Sequence, residues 1–257
     1  MTSIPRLYQP RRPSGAAIHL LGWAHGDGDE LAQLIEQDAA LMLTVLRQVN
    51  ATTAVQKQSV GTVKDAMRLL GEQAVHQMAS LGVILKALED LPSDRLLTLH
   101  VLRQSVQQAS AAAELLGDSP AGRRVFTAGL LQDVGCLVLQ ANCPQTYLQT
   151  ARLQGADRCR AEAQLQGQDH AHIGSVMAHR WGLPNEIVQA IAGHHDVEPA
   201  PGRGTVQDTL RHINSRSMED LPTQPSTSST VGGSTSRGPR VSNHAGQTLA
   251  LCRMAGG

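Results

Sequence analysis

From Asp29 onward the apolar positions recur at helical spacing. Leu31, Leu34 and Ile35 share one face, and Asp38 is placed to cap a second segment carrying Leu41, Met42, Val45, Leu46 and Val49 before Asn50. Thr62 and Asp65 have capping-box spacing; Val63, Ala66, Met67 and Leu70 follow on one side, and Gly71 suits a helix stop. A helix over 72–87 presents Val75, Met78, Ala79 and Val83. Pro92 breaks the chain, and 93–116 reads as one long helix. Its stripe of Val101, Leu102, Ser105, Ala109, Ala112 and Leu116 is narrow and built mostly of small residues, so another helix can approach closely. Gly117 and Pro120 end it. Shorter helices are predicted at 124–134, 144–153, 161–166, 170–180 and 185–192, and no alternating stretch is long enough for a strand. The predicted class is all-α, a compact multi-helix domain.

The pattern also divides the chain. Residues 1–28, with Pro5, Pro10 and Pro13, read as a flexible N-terminal arm, and 29–215 as the helical domain. Residues 216–242 are too poor in apolar side chains to build a core and read as a disordered loop. A weak helical pattern returns in 243–257 through Ala245, Leu249 and Cys252, as a helix docking on the body or as a frayed tail.

Composition narrows the function. Of the 257 residues 41% are apolar but only 2% aromatic, so Leu, Ala, Val and Ile must fill the core, as suits packed helices. Twenty-two basic residues balance 22 acidic ones, which excludes a broad electrostatic footprint for nucleic acid. Arg6, Arg11, Arg12, Arg158 and Arg160 then read as solvated positions rather than phosphate contacts. The 4 cysteines form no CxxC pair and read as reduced thiols, Cys136 and Cys143 as packing groups. No apolar run has the length of a membrane span or the form of a signal peptide, and a cytoplasmic location is expected. GDSPAG at 117–122 has no phosphate-loop lysine, and no nucleophile motif occurs. The 11 histidines are the outlier and raise a metal question that position must settle.

Chemistry-bearing side chains stand out at Gln104 in LRQSV, Gln132 and Asp133 in GLLQDVG, His170 in GQDHAHIGSV, and His194 and His195 in AIAGHHD. Adjacent His194 and His195 cannot face one way on a helix, so one of them at most is expected to join a site. His172 and His179 read as ordinary helical histidines. Asp133 has a blander reading as a brace for the helix end at Gly135.

Together these blocks resemble the HDOD family, the HD-related output domain of bacterial signalling proteins, within the HD superfamily of metal-dependent phosphohydrolases. LAQLIEQDAALMLTVLRQVNA is similar to the family's early helix pair, with Ala39 in place of a proline and Asn50-Ala51 in place of Asn-Ser. VGTVKDAMRLLG resembles the next block, GLLQDVGCLVL resembles GLLHDIG, and EAQLQGQDHAHIGSVMAHRWGLPNEIVQAIAGHHD matches the late block. The resemblance implies a metal held by histidines and an aspartate in active relatives. This chain has Gln104 and Gln132 where the family pattern has imidazoles, and a carboxamide is a poor substitute ligand. His100 lies one turn before Gln104 and reaches the site only if that helix slides by a turn. The expectation is therefore a pattern broken at Gln104 and Gln132. Gln104, Gln132, Asp133, His170, His194 and His195 then line a vestigial polar pocket, with no catalytic residue and no cofactor. The implied function is a non-catalytic signal-transduction output or adaptor domain that binds a signalling protein or small regulatory ligand. The alternative is a divergent phosphohydrolase or phosphodiesterase that keeps a divalent metal.

Overall fold

Ser14, Asp27, Thr62, Asp94, Ser119 and Asp169 each accept a hydrogen bond from a backbone N–H in the first turn of a helix, and these caps set where six elements begin. The computed structural model describes residues 8–24, 26–53, 60–196 and 205–215, and among them the fold is all-α with no strand. In chain order the helices are α1 (Gly15–Gly22), α2 (Gly28–Glu36), α3 (Ala39–Thr53), α4 (Val63–Leu70), α5 (Glu72–Leu88), α6 (Arg95–Leu116) and α7 (Pro120–Leu131). They continue as α8 (Val134–Asn142), α9 (Pro144–Thr150), α10 (Gly155–Gln166), α11 (His170–Trp181), α12 (Asn185–Ala192) and α13 (Thr205–Ser215). The segments 216–242 and 243–257 lie outside the described residues. Among the described residues no helix is long and apolar enough to cross a membrane.

Several elements differ from the pattern reading: α10 begins at Gly155 rather than 161, α13 over Thr205–Ser215 is a helix the pattern did not mark, and two further differences lie at α1 and at the end of α7. Within the segment read as a flexible arm, α1 is a formed helix that buries Ala17, Leu20 and Leu21, with Trp23 buried just after it. Its apolar run is too short to declare itself by periodicity, and its stability comes from packing on α2, α5 and α7. The helix expected over 124–134 ends earlier, as α7 stops at Leu131, and after the turn at Gln132 and Asp133 a new helix, α8, starts at Val134 and runs through Gly135, where a stop was expected.

Helix α7 lies at the centre. Val125 to Leu131 are all buried, and α1, α5, α6, α8, α12 and α13 pack around the helix. A helix apolar on every side belongs in the interior. Its closest neighbour is α6, whose small-residue stripe meets it at Ala109. A Cβ added at Gly129 would stand 2.8 Å from the Ala109 Cα, so only glycine permits this spacing. A second close approach positions the site. A Cβ at Gly135 would lie 1.9 Å from the His170 carbonyl oxygen, so glycine here lets the start of α8 touch the start of α11. Asp133 and His170, 37 positions apart in the sequence, thereby become neighbours.

Candidate metal centre

The turn between α7 and α8 presents Asp133. It stands at the N-cap of α8, yet its side chain makes no capping bond, which sets aside the reading of Asp133 as a helix brace. Its carboxylate instead faces histidines. Asp133 Oδ1 is 3.7 Å from His170 Nε2 and 3.8 Å from His194 Nε2. These separations are too long for hydrogen bonds. They are near the roughly 3.4 Å that separates two ligands of one tetrahedral ion with bonds of about 2.1 Å.

Each of these two imidazoles is held from behind. His170 is the first residue of α11, and its Nδ1 donates to Glu162 Oε2 at 2.6 Å while its backbone N–H donates to the same oxygen at 2.9 Å. His194 Nδ1 donates to the Ile191 carbonyl at 2.7 Å. A carboxylate and a carbonyl only accept, so both Nδ1 atoms carry hydrogen, and in the neutral ring the lone pair is on Nε2. Both Nε2 atoms are buried and have no hydrogen-bond partner. Two orphaned lone pairs beside a carboxylate are the donor set of a metal site with its supporting bonds in place.

His195 completes the set. The helical argument that only one of His194 and His195 can join the site is corrected by the structure. Helix α12 ends at Ala192, and the two residues sit in the turn beyond Gly193, where neighbouring side chains are not splayed by helical geometry. Their ring centroids are 3.9 Å apart, and that of His195 is 5.2 Å from that of His170. Asp133, His170, His194 and His195 offer ligand atoms that all lie within 4.8 Å of one another. His170 and His194 are fully covered, while Asp133 is 23% exposed and His195 half-buried, so the cluster has a solvent side. Burial opposes ionisation of Asp133, but His194, His170 and His195 around it prevail and hold it well below the usual carboxylate range. Burial, reinforced by the neighbouring His194 and His170, pushes His195 down to about 3, so at neutral pH it is an uncharged donor. Three imidazoles and one carboxylate suit zinc, iron or manganese. The donors present fit such an ion.

The expectation of a metal pattern broken at Gln104 and Gln132 is therefore overturned. Those substitutions leave a four-donor cluster standing. Gln132 is not part of it. Its side chain is fully buried in an amide ladder, with Nε2 donating to Gln108 Oε1 at 2.6 Å and Oε1 accepting from Asn214 Nδ2 at 2.7 Å. The ladder ties α6 and α13 to the end of α7, and Asn214 Nδ2 also reaches the His194 carbonyl at 3.4 Å. Gln104 is half-buried on α6 with no hydrogen-bond partner among the described residues. His100, His172 and His179 are exposed and stand apart from the cluster.

Behind His170 lies a supporting layer that spacing did not reveal. Glu162 on α10 has no exposed side-chain surface and also accepts from Arg158 Nε at 2.7 Å. Burial works against its charge, but the bonds from His170 and the charge of Arg158 keep it below its ordinary range. The Arg158 guanidinium rests 5.4 Å from the centre of the Tyr147 ring. Cys136 shares a second close group with Glu162 and His170. Burial raises its thiol well above the usual value, and the facing nitrogen and carboxylate are already bonded, so this group supports the first rather than forming a second centre.

Comparison with known proteins agrees with this architecture. The model of the HDOD domain matches residues 21–197. An uncharacterized protein of Treponema pallidum is 22% identical over 67% of this chain, and Ribonuclease Y of Thermus thermophilus is 28% identical over 66%. The chain spans only 34% and 22% of the length of these two curated relatives. Among solved structures, a candidate signal transduction protein from Marinobacter aquaeolei superposes with a TM-score of 0.65 at 24% identity, over 80% of this chain and 48% of that one.

Proposed function

The chain belongs to the HDOD domain family, and from that premise we propose that it is a signal-transduction output domain holding one divalent metal ion at Asp133, His170, His194 and His195. Its partners are a signalling protein or a small regulatory ligand. The observation that carries the metal assignment is the pair of buried, unbonded Nε2 atoms of His170 and His194 facing the Asp133 carboxylate. Glu162 and the Ile191 carbonyl orient the rings, and Asp133 supplies the negative charge that a divalent cation needs. A bound ion of this kind supplies Lewis acidity, polarising a phosphoryl oxygen or lowering the pKa of a water molecule.

Metal content of chain purified without chelator, measured by mass spectrometry, tests the assignment. The expected result is about one zinc, iron or manganese ion per chain, lost in Asp133→Ala and in His170→Ala. A chain that stays metal-free after reloading with each of the three ions overturns it.

The solvent side of the cluster at Asp133 and His195 favours a second reading, a metal-dependent phosphohydrolase. Metal-loaded chain is then expected to hydrolyse a nucleotide or cyclic dinucleotide and to lose that turnover in Asp133→Ala. Metal-loaded chain inert across such a panel leaves the signalling reading alone.

A further inference from the structure

A cleft of about 1180 Å³ lies between the segment around Arg11–Ser14, α3, α5 and α6, and none of its lining residues belongs to the metal cluster. Its apolar wall is formed by the half-buried Leu85 and Leu99 with the edges of Leu41, Leu88 and Leu91, which keep 5–7% of their surface exposed. Five cationic side chains line it: Arg11, Arg12, Arg47, Lys86 and Arg95. Arg11 pairs with Asp90, and Lys86 pairs with Asp38 at 2.9 Å. Arg12, Arg47 and Arg95 have no ion pair or hydrogen bond among the described residues, and against them stands one unpaired lining carboxylate, Glu89. They come from three separate places in the sequence: the segment before α1, α3 and α6.

This concentration of positive charge occurs in a chain whose basic and acidic residues balance at 22 each. An excess of positive over negative charge on a concave surface focuses its field into the cleft. Guanidinium groups bind phosphate with paired, planar hydrogen bonds, and an apolar wall rewards a flat organic body. An occupant must supply both. The chain's own C-terminal portion has the wrong sign: residues 216–257 carry Arg216, Arg237, Arg240 and Arg253 against only Glu219 and Asp220. Polymeric nucleic acid calls for an extended basic surface, which a neutral chain with one basic cleft does not offer.

We propose that this cleft is a nucleotide-binding site separate from the metal centre, with the phosphates held by Arg12, Arg47 and Arg95 and the base laid against the leucine-lined wall. The proposal rests on the signalling reading only in giving its small regulatory ligand a chemical class, and it does not require the metal.

Calorimetric titration of the full chain with ATP, GTP and pyrophosphate, in the presence of chelator, tests it. ATP or GTP is expected to bind, and pyrophosphate more weakly because it has no base. Charge reversal in Arg47→Glu/Arg95→Glu is expected to weaken binding by at least about tenfold per arginine. Both side chains are exposed, so the unfolding temperature and the metal content are expected to stay unchanged. The site is overturned if neither nucleotide binds at millimolar concentration, if binding survives the charge reversals, or if pyrophosphate binds as tightly as ATP. Loss of binding in Asp133→Asn would move the anion to the metal centre, and a single-stranded RNA preferred over mononucleotides would make the cleft a polymer surface; either result overturns the proposal. Metal content is measured separately, so failure here leaves the metal assignment standing.

Discussion

Glu162 is a carboxylate without solvent contact that accepts from Arg158 and twice from His170. Its work is to hold one imidazole with Nδ1 protonated. Glu162→Gln replaces an acceptor by a group that also donates, and it is expected to weaken metal binding by about 10- to 100-fold, as loss of a partner behind a ligand does. Competition against a chromophoric chelator measures this, and unchanged affinity would remove Glu162 from the support of the site. His76 makes a different point. It is fully buried, its Nε2 donates to the Leu20 carbonyl at 3.0 Å, and its Nδ1 has no partner. Burial pushes its pKa down to about 4 from 6.5. The unfolded chain therefore takes up the proton first, so the contribution of neutral His76 is present above pH 6.5 and is lost as pH falls towards 4. The loss approaches about 3 kcal/mol. Denaturant midpoints of the chain and of His76→Gln, compared between pH 7 and pH 4.5, should show a smaller acid loss in the variant. Parallel curves would exclude His76 as a source of acid sensitivity.

At the scale of elements, two glycines do separable work. Gly129 lets α6 and α7 touch at Ala109, and Gly135 lets α8 touch the first residue of α11. Alanine at either position overpacks the interior and is expected to cost about 1–3 kcal/mol, read as a lower unfolding midpoint. Only Gly135→Ala also pushes on the His170 backbone, so it should weaken metal binding, whereas Gly129→Ala should leave affinity unchanged. Equal affinity in the two variants would show that the α8–α11 contact does not set the ligand geometry. The close approach on α6 was legible in its run of small residues. The partner position was not, because glycine in the middle of α7 reads from sequence only as a weak helix former.

At the scale of the whole molecule, the ligands come from the start of α8, the start of α11 and the turn after α12, a constellation that an unfolded chain does not hold. Binding energy therefore becomes folding energy. A divalent ion at 100 times its dissociation constant is expected to stabilise the chain by about 2.7 kcal/mol. Chelator should reverse the gain, and Asp133→Asn should abolish it, in thermal unfolding followed by circular dichroism. An equal gain in the variant would place the stabilising ion elsewhere.

The periodicity of apolar positions, the caps at Asp38 and Thr62 and the stop at Gly71 determined an all-α fold, because these are local effects of hydrogen bonding and helical spacing within a few residues. The sequence also marked Asp133, His170, His194 and His195 as candidates. It could not say that all four converge, that Gln132 is turned into a ladder with Gln108 and Asn214, or that Glu162 stands behind His170. Those facts depend on where one helix stops, on two glycine contacts and on groups distant in the chain meeting in the interior. Only packing fixes such meetings, and here packing decided that a site with two altered positions still gathers the donors of a metal ion.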